Sequence, residues 1–507
     1  MKRLSHFLFV ISLVLLSTSA FAEIAIERLS GDGVWLDPRA EGQKADAKFR
    51  VTVWFEEQLL GDGEAYLRRA KEFDDLGRTE LRKQVVALLK ATSETSRERA
   101  LPDLKKFKSV SDLEFHWIVN GFSCVTNRAG LDDLKEVPGV RKIFYNGSAR
   151  RSGSGPAVDV PKPVIPEGKT FDLFAQEPLW YIKALQVDRV WEEFGVTGKG
   201  VLNVVHDGNF IHSDWVDASL YVNPSDPRNG RDDDENGLID DVHGFDFSRQ
   251  TDQLTNQALP KKGNPARVLH GHQCVAIICG RSGDNRPVQP GIAPDSKWAG
   301  VVIRQRIEAA VEWAVEHGAD TYSMSFSRPN LGEFRSHWRK LMEQGAFCGV
   351  HFVSGAGNFA QSEPIPVQMR VPEDIPHAVF AAAGVQRDFS RTPFSSQGPV
   401  EWNTEHYQDG LVDKPEVCAF NYKVPGLSPA GGPPTRTVIG YSFAGPMYCG
   451  AIALILSANP ELKPWEVRQI ITETATDVGE EGYDYQTGHG LINAYEAVKR
   501  ALELRSR

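Results

Sequence analysis

The chain has 507 residues, of which 41% are hydrophobic and 24% are charged, and its formal net charge is −10. This length predicts two or three domains of roughly 100–200 residues each, and the composition is that of an ordinary globular protein. The acidic balance and the lack of a long basic run argue against a nucleic-acid-binding protein.

The first 22 residues have the pattern of a secretory signal peptide. Lys2 and Arg3 precede an apolar run over residues 7–16, and Ala20-Phe21-Ala22 is a small-x-small cleavage site. The run is shorter than the roughly 20 apolar residues that span a membrane. We therefore expect residues 1–22 to direct export to the periplasm or the medium and then to be removed, leaving no membrane attachment. The alternative is a helix that stays as an anchor.

Residues 23–150 are predicted to form a small α+β domain. The helix-favouring stretch 64–106 is followed by a strand pattern at 114–119. Residues 151–175 are predicted to be a linker that contains the maturation site, because Gly, Pro, Ser and charged residues dominate this part of the chain. The basic pair Arg150-Arg151 stands at its start.

Residues 176–507 alternate between short apolar runs and helical stretches, which predicts an α/β domain. This alternation favours a mostly parallel, doubly wound sheet with helices on both faces. Residues 448–457 are apolar on every side, which is typical of a fully buried helix. Strands are predicted at residues 201–205, 298–303, 319–326, 349–353 and 379–383, and a further helix at 307–317.

Three polar residues stand at the ends of these apolar elements, in the order Asp207, His270 and Ser442. Serine, histidine and aspartate together form a catalytic triad when a base activates the hydroxyl and a carboxylate orients the base. Ser442 does not lie in a G-x-S-x-G elbow, because Ala444 takes the place of the second glycine.

Nine segments resemble motifs of the subtilisin-like serine proteases (subtilases), in the same order. The resemblance covers about two thirds of the chain and implies a secreted serine endopeptidase with the triad Asp207, His270 and Ser442, in the chain order of subtilisin. The segments are GKGV (198–201), HGHQCVAIICG (270–280), GIAPDSKWAGVVI (291–303), GADTYSMSFS (318–327), VSGAGNF (353–359), FSSQGP (394–399), KPEVCAFN (414–421), GYSFAGP (440–446) and GHGLINAYEAV (488–498).

The same resemblance implies roles for further residues. Asn358 would donate to the oxyanion, and polypeptide substrates would bind along residues 325–327 and 355–356, which are Ser325, Phe326, Ser327, Gly355 and Ala356. Residues 119–146 resemble the end of a subtilase propeptide, so residues 23–150 would be an intramolecular inhibitor that is removed on maturation. The alternative is an accessory domain that stays attached. The resemblance implies no cofactor for catalysis, and we expect a monomer.

The sequence departs from the family pattern around two triad positions. In His206-Asp207-Gly208-Asn209, a count from Gly198-Lys199-Gly200 puts Asp207 in the triad, whereas a match on Gly208 would put His206 there. Tyr441 and Gly445 replace two threonines near Ser442. These departures leave open a catalytically impaired binding protein on the same fold.

Residues 232–241 (DDDENGLIDD) are rich in oxygen ligands, which suit calcium. Asp232, Asp234 and Asn236 fall at positions 1, 3 and 5 of an EF-hand-like loop, but position 12 is a histidine. We predict a structural Ca²⁺ site that also uses Asp240. The alternative is a solvated acidic loop.

Possible metal ligands and the six cysteines are two further features of the sequence. His206, Asp207, His212 and Asp214, with the pair His270 and His272, offer ligands for a metal-dependent hydrolase, although that reading leaves Ser442 and Asn358 without a role. The six cysteines show no zinc-type spacing and are interpreted as buried free thiols, although export would permit a disulfide.

Overall fold

The computed structural model describes residues 24–63, 65–148, 180–208, 210–211, 214–254, 270–281, 290–303, 306–426 and 436–506. The predicted signal peptide at 1–22 and the predicted linker at 151–175 lie outside these residues. The described chain forms a smaller unit, up to residue 148, and a larger unit that begins at residue 180.

The smaller unit is a five-stranded mixed sheet in the order β2–β7–β3–β6–β5, which agrees with the α+β expectation. The five strands of this sheet are β2 (Trp35–Leu36), β3 (Phe49–Phe55), β5 (Ser111–His116), β6 (Gly121–Thr126) and β7 (Val140–Ser148). Two short strands, β1 (Glu27–Arg28) and β4 (Glu57–Gln58), pair with each other in a separate antiparallel sheet. Its helices are α1 (Pro38–Glu41), α2 (Ala65–Glu72), α3 (Arg78–Leu104) and α4 (Arg128–Lys135).

The larger unit is built on a seven-stranded sheet in the order β16–β13–β12–β11–β8–β10–β9. All neighbouring strands in it are parallel. The strands are β8 (Leu202–His206), β9 (Gly244–Asp246), β10 (Lys297–Val302), β11 (Thr321–Met324), β12 (His351–Gly355), β13 (Val379–Val385) and β16 (Val417–Phe420). Two hairpins stand apart from the sheet, β14 (Val400–Asn403) with β15 (Gln408–Val412), and β17 (Val424–Gly426) with β18 (Arg436–Val438).

Helices flank this sheet, which confirms the predicted α/β fold. They are α5 (Trp180–Ala184), α6 (Val187–Arg189) with a π-helical turn (Val190–Phe194), α7 (Asp214–Asp217), α8 (His270–Cys279), α9 (Ile307–Glu316), α10 (Phe334–Phe347), α11 (Tyr441–Ala458), α12 (Pro464–Thr474) and α13 (Ala494–Arg505). Most predicted strands and helices of this unit lie within two residues of their observed bounds.

Helix α11 is the buried helix predicted at 448–457, and it begins seven residues earlier. With 18 residues, the helix is long and apolar enough to cross a membrane, but 89% of it is buried inside the protein. The helix packs against α8 and against strands of the central sheet. Its apolar character therefore reflects a place in the core of the larger unit.

The two units share one continuous apolar core. Trp54, Tyr66 and Phe144 of the smaller unit belong to the same buried cluster as the larger unit's α10 and α11. Polar contacts cross the boundary as well: the indole of Trp54 donates to His337 Nδ1 at 2.8 Å, and His337 Nε2 donates to the Glu308 carboxylate at 2.7 Å. The smaller unit is thus packed closely against α9 and α10.

Two lysines of the larger unit find their acceptors in the smaller one. Lys340 Nζ donates to the main-chain oxygens of Leu60 (3.0 Å) and Gly61 (2.5 Å). Lys463 Nζ donates to the main-chain oxygens of Asp74 (3.0 Å) and Leu76 (2.9 Å). Both lysines are about 2% exposed. Few water molecules can therefore reach their ammonium groups and replace the main-chain oxygens as hydrogen-bond acceptors.

The six cysteines are all buried, and none is paired with another. This agrees with the interpretation that they are core residues with free thiols.

Candidate active site

The candidate residues meet at the carboxyl ends of three adjacent strands, β12, β11 and β8. Met324 in β11 is in register with His206 in β8 and with Ser354 in β12. The residues that follow are Asp207, Ser325 and Gly355, so the parallel register brings them to one edge of the sheet. This is the edge at which open α/β sheets bind ligands.

Asp207 and His270 form a short hydrogen bond. His270 Nδ1 lies 2.7 Å from Asp207 Oδ2, and the other carboxylate oxygen accepts the main-chain N–H of Gly208 at 2.7 Å. The Gly271 N–H donates to the Gly208 carbonyl at 3.1 Å, and a side chain at Gly271 would come within 2.6 Å of that oxygen. Glycine at 271 therefore allows α8 to begin beside the turn that carries Asp207.

The pKa of His270 is raised well above its usual value. Burial lowers this pKa, but the Asp207 carboxylate and the Cys274 thiol, through their charges and their hydrogen bonds to the ring, together raise it by more. A carboxylate in this place also fixes the imidazole tautomer, so that Nε2 is the atom left to accept a proton.

His206, the rival candidate for the Asp207 position, points elsewhere. Its Nδ1 is hydrogen-bonded to the Tyr322 hydroxyl at 3.1 Å, and its ring packs on Phe326 with centroids 4.5 Å apart. His206 is buried, and desolvation lowers its pKa to about 3. The arrangement favours the sequence count that assigns Asp207 to the triad.

Ser442 is the second residue of α11, and its carbonyl is held from outside the helix. Pro446 has no N–H to donate to the carbonyl four residues before it. The Ser442 oxygen instead accepts from Ser325 Oγ at 3.1 Å and from Cys274 Sγ at 3.5 Å. These contacts link the Ser442 residue to β11 and to α8, which carries His270.

The Ser442 hydroxyl itself donates to the Ser325 carbonyl at 3.4 Å. Among the described residues it makes no hydrogen bond to His270. A bond this long is weak, and catalytic hydrogen bonds are often long before substrate binds.

Asn358 lies beside the residue that precedes Ser442. Its Oδ1 accepts the Tyr441 main-chain N–H at 3.0 Å. Because a main-chain N–H must meet an oxygen, this bond fixes the orientation of the amide. The Nδ2 donors then face away from Tyr441 N, as a side-chain donor to an oxyanion requires.

The predicted substrate residues do not all face the same way. Ser325 and Ser327 turn toward Ser442 and Tyr441, whereas the Phe326 ring packs on His206. Gly355 ends β12 beside Ser325, and Ala356 is fully buried with its N–H bonded to the Ala382 carbonyl.

Three residues around the site had no role in the sequence analysis. Cys274 lies one helical turn after His270, and its Sγ is 3.7 Å from Asp207 Oδ2. Tyr441 was noted only as a departure from the family pattern, and its hydroxyl reaches Ser327 Oγ. Glu373 is fully buried and accepts a 2.5 Å hydrogen bond from Ser327 Oγ. Glu373 carried no sequence signal beyond an acidic residue in an apolar stretch.

Of the ligands suggested for a metal-dependent hydrolase, the described part of the structure brings only Asp207 and His270 together. His272 Nδ1 is hydrogen-bonded to the Ile211 carbonyl, and His206 to Tyr322. Asp207, His270 and Cys274 do lie within reach of one another, with ligand atoms inside 4.8 Å. His212 lies outside the described residues, as does the side chain of Asp214.

The acidic loop brings only some of its predicted calcium ligands together. Asp232 accepts the N–H groups of Asn236 and Gly237, as the first residue of an EF-hand-like turn would. Asp240 instead accepts the N–H groups of Asn229 and Gly230. The convergent set is Asp234, Asp241 and His317, whose ligand atoms lie within 4.8 Å of one another.

Asp241 gives a reason for a cation at this convergent set. It is fully buried, and burial raises the pKa of its carboxyl. The carboxylates of Asp234 and Asp241 both accept from Asn223 Nδ2, at 3.1 and 2.9 Å. The carboxylates of Asp234 and Asp241 are close enough to bind one hard cation such as Ca²⁺. The imidazole of His317 is a less usual calcium ligand.

A parallel sheet that carries an Asp–His pair and a helix-borne serine at one edge is the arrangement of the subtilisin-like fold. Comparison with known families matches residues 195–490 to Peptidase_S8, the subtilase family. That match covers more than half of the chain. The chain therefore belongs to the subtilase family.

Individual relatives are distant. A probable subtilase-type serine protease of Deinococcus radiodurans is 27% identical over 330 residues, covering 62% of this chain and 42% of the relative. A calcium-dependent protease of Nostoc sp. is 26% identical over 296 residues, 50% of this chain and 42% of the relative. Bacillopeptidase F of Bacillus subtilis is 23% identical over 460 residues, 82% of this chain and 28% of the relative. The chain spans less than half the length of each of these three relatives.

Proposed function

We propose that this protein is an exported serine endopeptidase. The observation on which the proposal depends is the 2.7 Å hydrogen bond between Asp207 and His270. It lies at the same edge of the sheet as Ser442, the second residue of α11. Ser442 attacks the scissile carbonyl after His270 takes its proton, and His270 then protonates the leaving amine. Asp207 holds the tautomer and stabilises the imidazolium.

The oxyanion of the tetrahedral intermediate is stabilised by two donors in this proposal, Asn358 Nδ2 and the Ser442 main-chain N–H. In subtilisin, loss of the side-chain donor lowers kcat by about 10²–10³. Polypeptide substrates lie along Ser325–Ser327 as an added strand. Catalysis needs no cofactor.

The smaller unit acts as an intramolecular inhibitor, with maturation by cleavage within residues 151–175. Its extensive packing against α9 and α10 supports a role in folding the larger unit. The signal-peptide pattern at 1–22 supports export to the periplasm or the medium. A Ca²⁺ ion has a structural role and is held by Asp234 and Asp241, with Asp232 and Asn236 shaping the turn. The relative from Nostoc sp. is a calcium-dependent protease, which supports this cation.

The decisive experiment compares the precursor with its Ser442→Ala variant. N-terminal sequencing should find the first cleaved within 151–175 and the second intact. Ser457→Ala, near the far end of the same helix, where the half-buried hydroxyl donates to the Lys199 carbonyl, is the matched control and should be cleaved like the precursor. Equal processing of the Ser442→Ala variant would count against self-cleavage.

Two other functions give different results in the same preparation. A fluorophosphonate should label Ser442 in the presence of a chelator, and a metal-dependent hydrolase would instead lose activity to the chelator without labelling. A catalytically impaired binding protein would show neither labelling nor self-cleavage.

A further inference from the structure

The space between the two substrate-lining segments is crossed by side chains of the protein itself. In the proposed endopeptidase, a peptide whose scissile carbonyl lies between Ser442 Oγ and Asn358 would place its acyl-side residue, P1, between the predicted substrate-binding segments, Ser325–Ser327 and Gly355–Ala356 with the adjoining Gly357. The P1 side chain would then enter the gap between these segments. What occupies that gap therefore limits the P1 side chain.

Tyr441 crosses the gap from the Gly355 side. A Cβ at Gly355 would lie 2.8 Å from the Tyr441 ring carbon Cδ2, and the hydroxyl at the far end of the ring is 3.1 Å from Ser327 Oγ. The side chain is 3% exposed. One aromatic ring thus reaches from one substrate-lining segment to the other.

Glu373 fills the space next to it. Its Oε1 accepts from Ser327 Oγ at 2.5 Å and would lie 3.3 Å from a Cβ at Gly357. The carboxyl group has no exposed surface. The hydroxyl of Tyr441 donates to Ser327, whose hydroxyl donates to Glu373, so the chain of hydrogen bonds closes the gap.

We propose that Tyr441 and Glu373 fill the P1 pocket from inside, so that the enzyme cleaves after residues with small side chains such as Gly, Ala and Ser. This inference rests on the proposed endopeptidase function and names its substrate class. A large P1 side chain would have to displace a buried ring and a hydrogen-bonded carboxyl group, whereas a methyl group or hydrogen needs no such displacement.

The test uses peptide p-nitroanilides that differ only at P1, with Ala, Phe and Arg compared on the processed protein. We expect kcat/KM for Ala to exceed that for Phe and Arg by at least about tenfold, within the range for steric discrimination in a pocket. Tyr441→Thr should reduce this ratio by at least tenfold because it removes the ring and keeps the main-chain N–H that Asn358 accepts.

Two matched variants separate pocket filling from general damage. Tyr441→Phe keeps the ring and should keep the preference for Ala. Glu373→Gln keeps the side-chain volume and should also keep the preference for Ala at P1. Glu373→Ala removes that volume and should allow Phe to bind in the P1 pocket. Because each result is a ratio between substrates on one preparation, a loss of folded protein does not mimic it.

Other P1 preferences would overturn the inference. A preference for Phe would mean that the side chain enters the neighbouring cavity of about 600 Å³, which Arg328, Phe359 and Arg370 line. A preference for Arg would mean that a cation reaches the buried Glu373 Oε2, which has no hydrogen-bond partner among the described residues. Fluorophosphonate labelling of Ser442 does not depend on P1, so absent labelling would contradict the protease proposal instead.

Discussion

Ser325 Oγ donates a 3.1 Å hydrogen bond to the main-chain carbonyl of Ser442. The carbonyl is open to this donor because Pro446 has no N–H to offer it within α11. A residue of the proposed substrate strand is thus hydrogen-bonded directly to the residue proposed as nucleophile.

Removal of this bond should affect the chemical step more than substrate binding. Ser325→Ala is expected to lower kcat about 2- to 10-fold, the effect of one neutral hydrogen bond of about 0.5–1.5 kcal/mol, with little change in KM. Ser325→Thr keeps the hydroxyl and should restore most of the loss. A raised KM with unchanged kcat would show that Ser325 acts on the substrate alone.

The identity of the third triad member is open to a direct kinetic comparison. In trypsin, the Asp→Asn change at the equivalent position lowers kcat about 10⁴-fold, so Asp207→Asn should cause a loss of that order. His206→Gln, on the adjacent residue, should keep most activity because His206 bonds to Tyr322. The reverse outcome would assign the position to His206.

The pH dependence of Ser442 reactivity should follow His270. Since His270 must be unprotonated to act as a base and its pKa is raised well above 6.5, the rate of fluorophosphonate labelling should increase with pH through a midpoint above 6.5. Asp207→Asn removes the carboxylate that raises the pKa and keeps the burial that lowers it. Its midpoint should therefore move to lower pH, and an unmoved midpoint would contradict the pairing.

Glu373 should make the folded protein less stable as pH rises. Burial raises the pKa of Glu373 well above 4.5, so the folded state keeps a proton that the unfolded state releases above about pH 4.5. The free energy of unfolding then falls as pH rises from 4.5 through the folded-state pKa. Glu373→Gln lacks this effect. The Tm of the Glu373→Gln variant should exceed that of the unsubstituted protein by a margin that grows as pH rises above 4.5. Below pH 4.5 this margin should vanish.

Calcium should raise the thermal stability through Asp234 and Asp241. Saturation to 100 times Kd would stabilise the folded state by about 2.7 kcal/mol, and a chelator should reverse the shift in Tm. Asp234→Asn should reduce the shift. Asp240→Asn is the matched control: the amide oxygen of asparagine still accepts from the Asn229 and Gly230 N–H groups, with or without calcium, so the response to the ion should be kept.

The sequence predicted the central sheet well because strands buried on both faces read as continuous apolar runs. Residues 379–383 and 298–303 are of this kind, and β13 and β10 lie there. Helix α10 was missed for the opposite reason. It carries Arg339, Lys340 and Glu343, which read as a solvated surface, yet all three are buried. Arg339 and Glu343 pair with each other within the helix. Glu343 also accepts from Tyr407, and Lys340 donates to Leu60 and Gly61, and a local pattern does not reveal these distant partners.

The candidate site was predictable in part for a similar reason. His270 and Ser442 stand in local motifs and Asp207 was assigned by a spacing count, so the resemblance was able to propose all three. Glu373 has no motif, because its role depends on Ser327 and Gly357, which reach it through the fold. The acidic loop shows the same limit: Asp241 and His317 lie 76 residues apart, and spacing within the loop pointed to Asp240 instead.

Lys340 and Lys463, at the boundary between the two units, affect how the smaller unit dissociates from the larger one. If it dissociated intact, the acceptors of Lys340 and Lys463 and a continuous apolar core would be lost together. Burial already lowers the pKa of Lys340 to about 8. We therefore expect linker cleavage to yield a nicked two-chain protein that stays associated, and the smaller unit to be lost by piecemeal digestion.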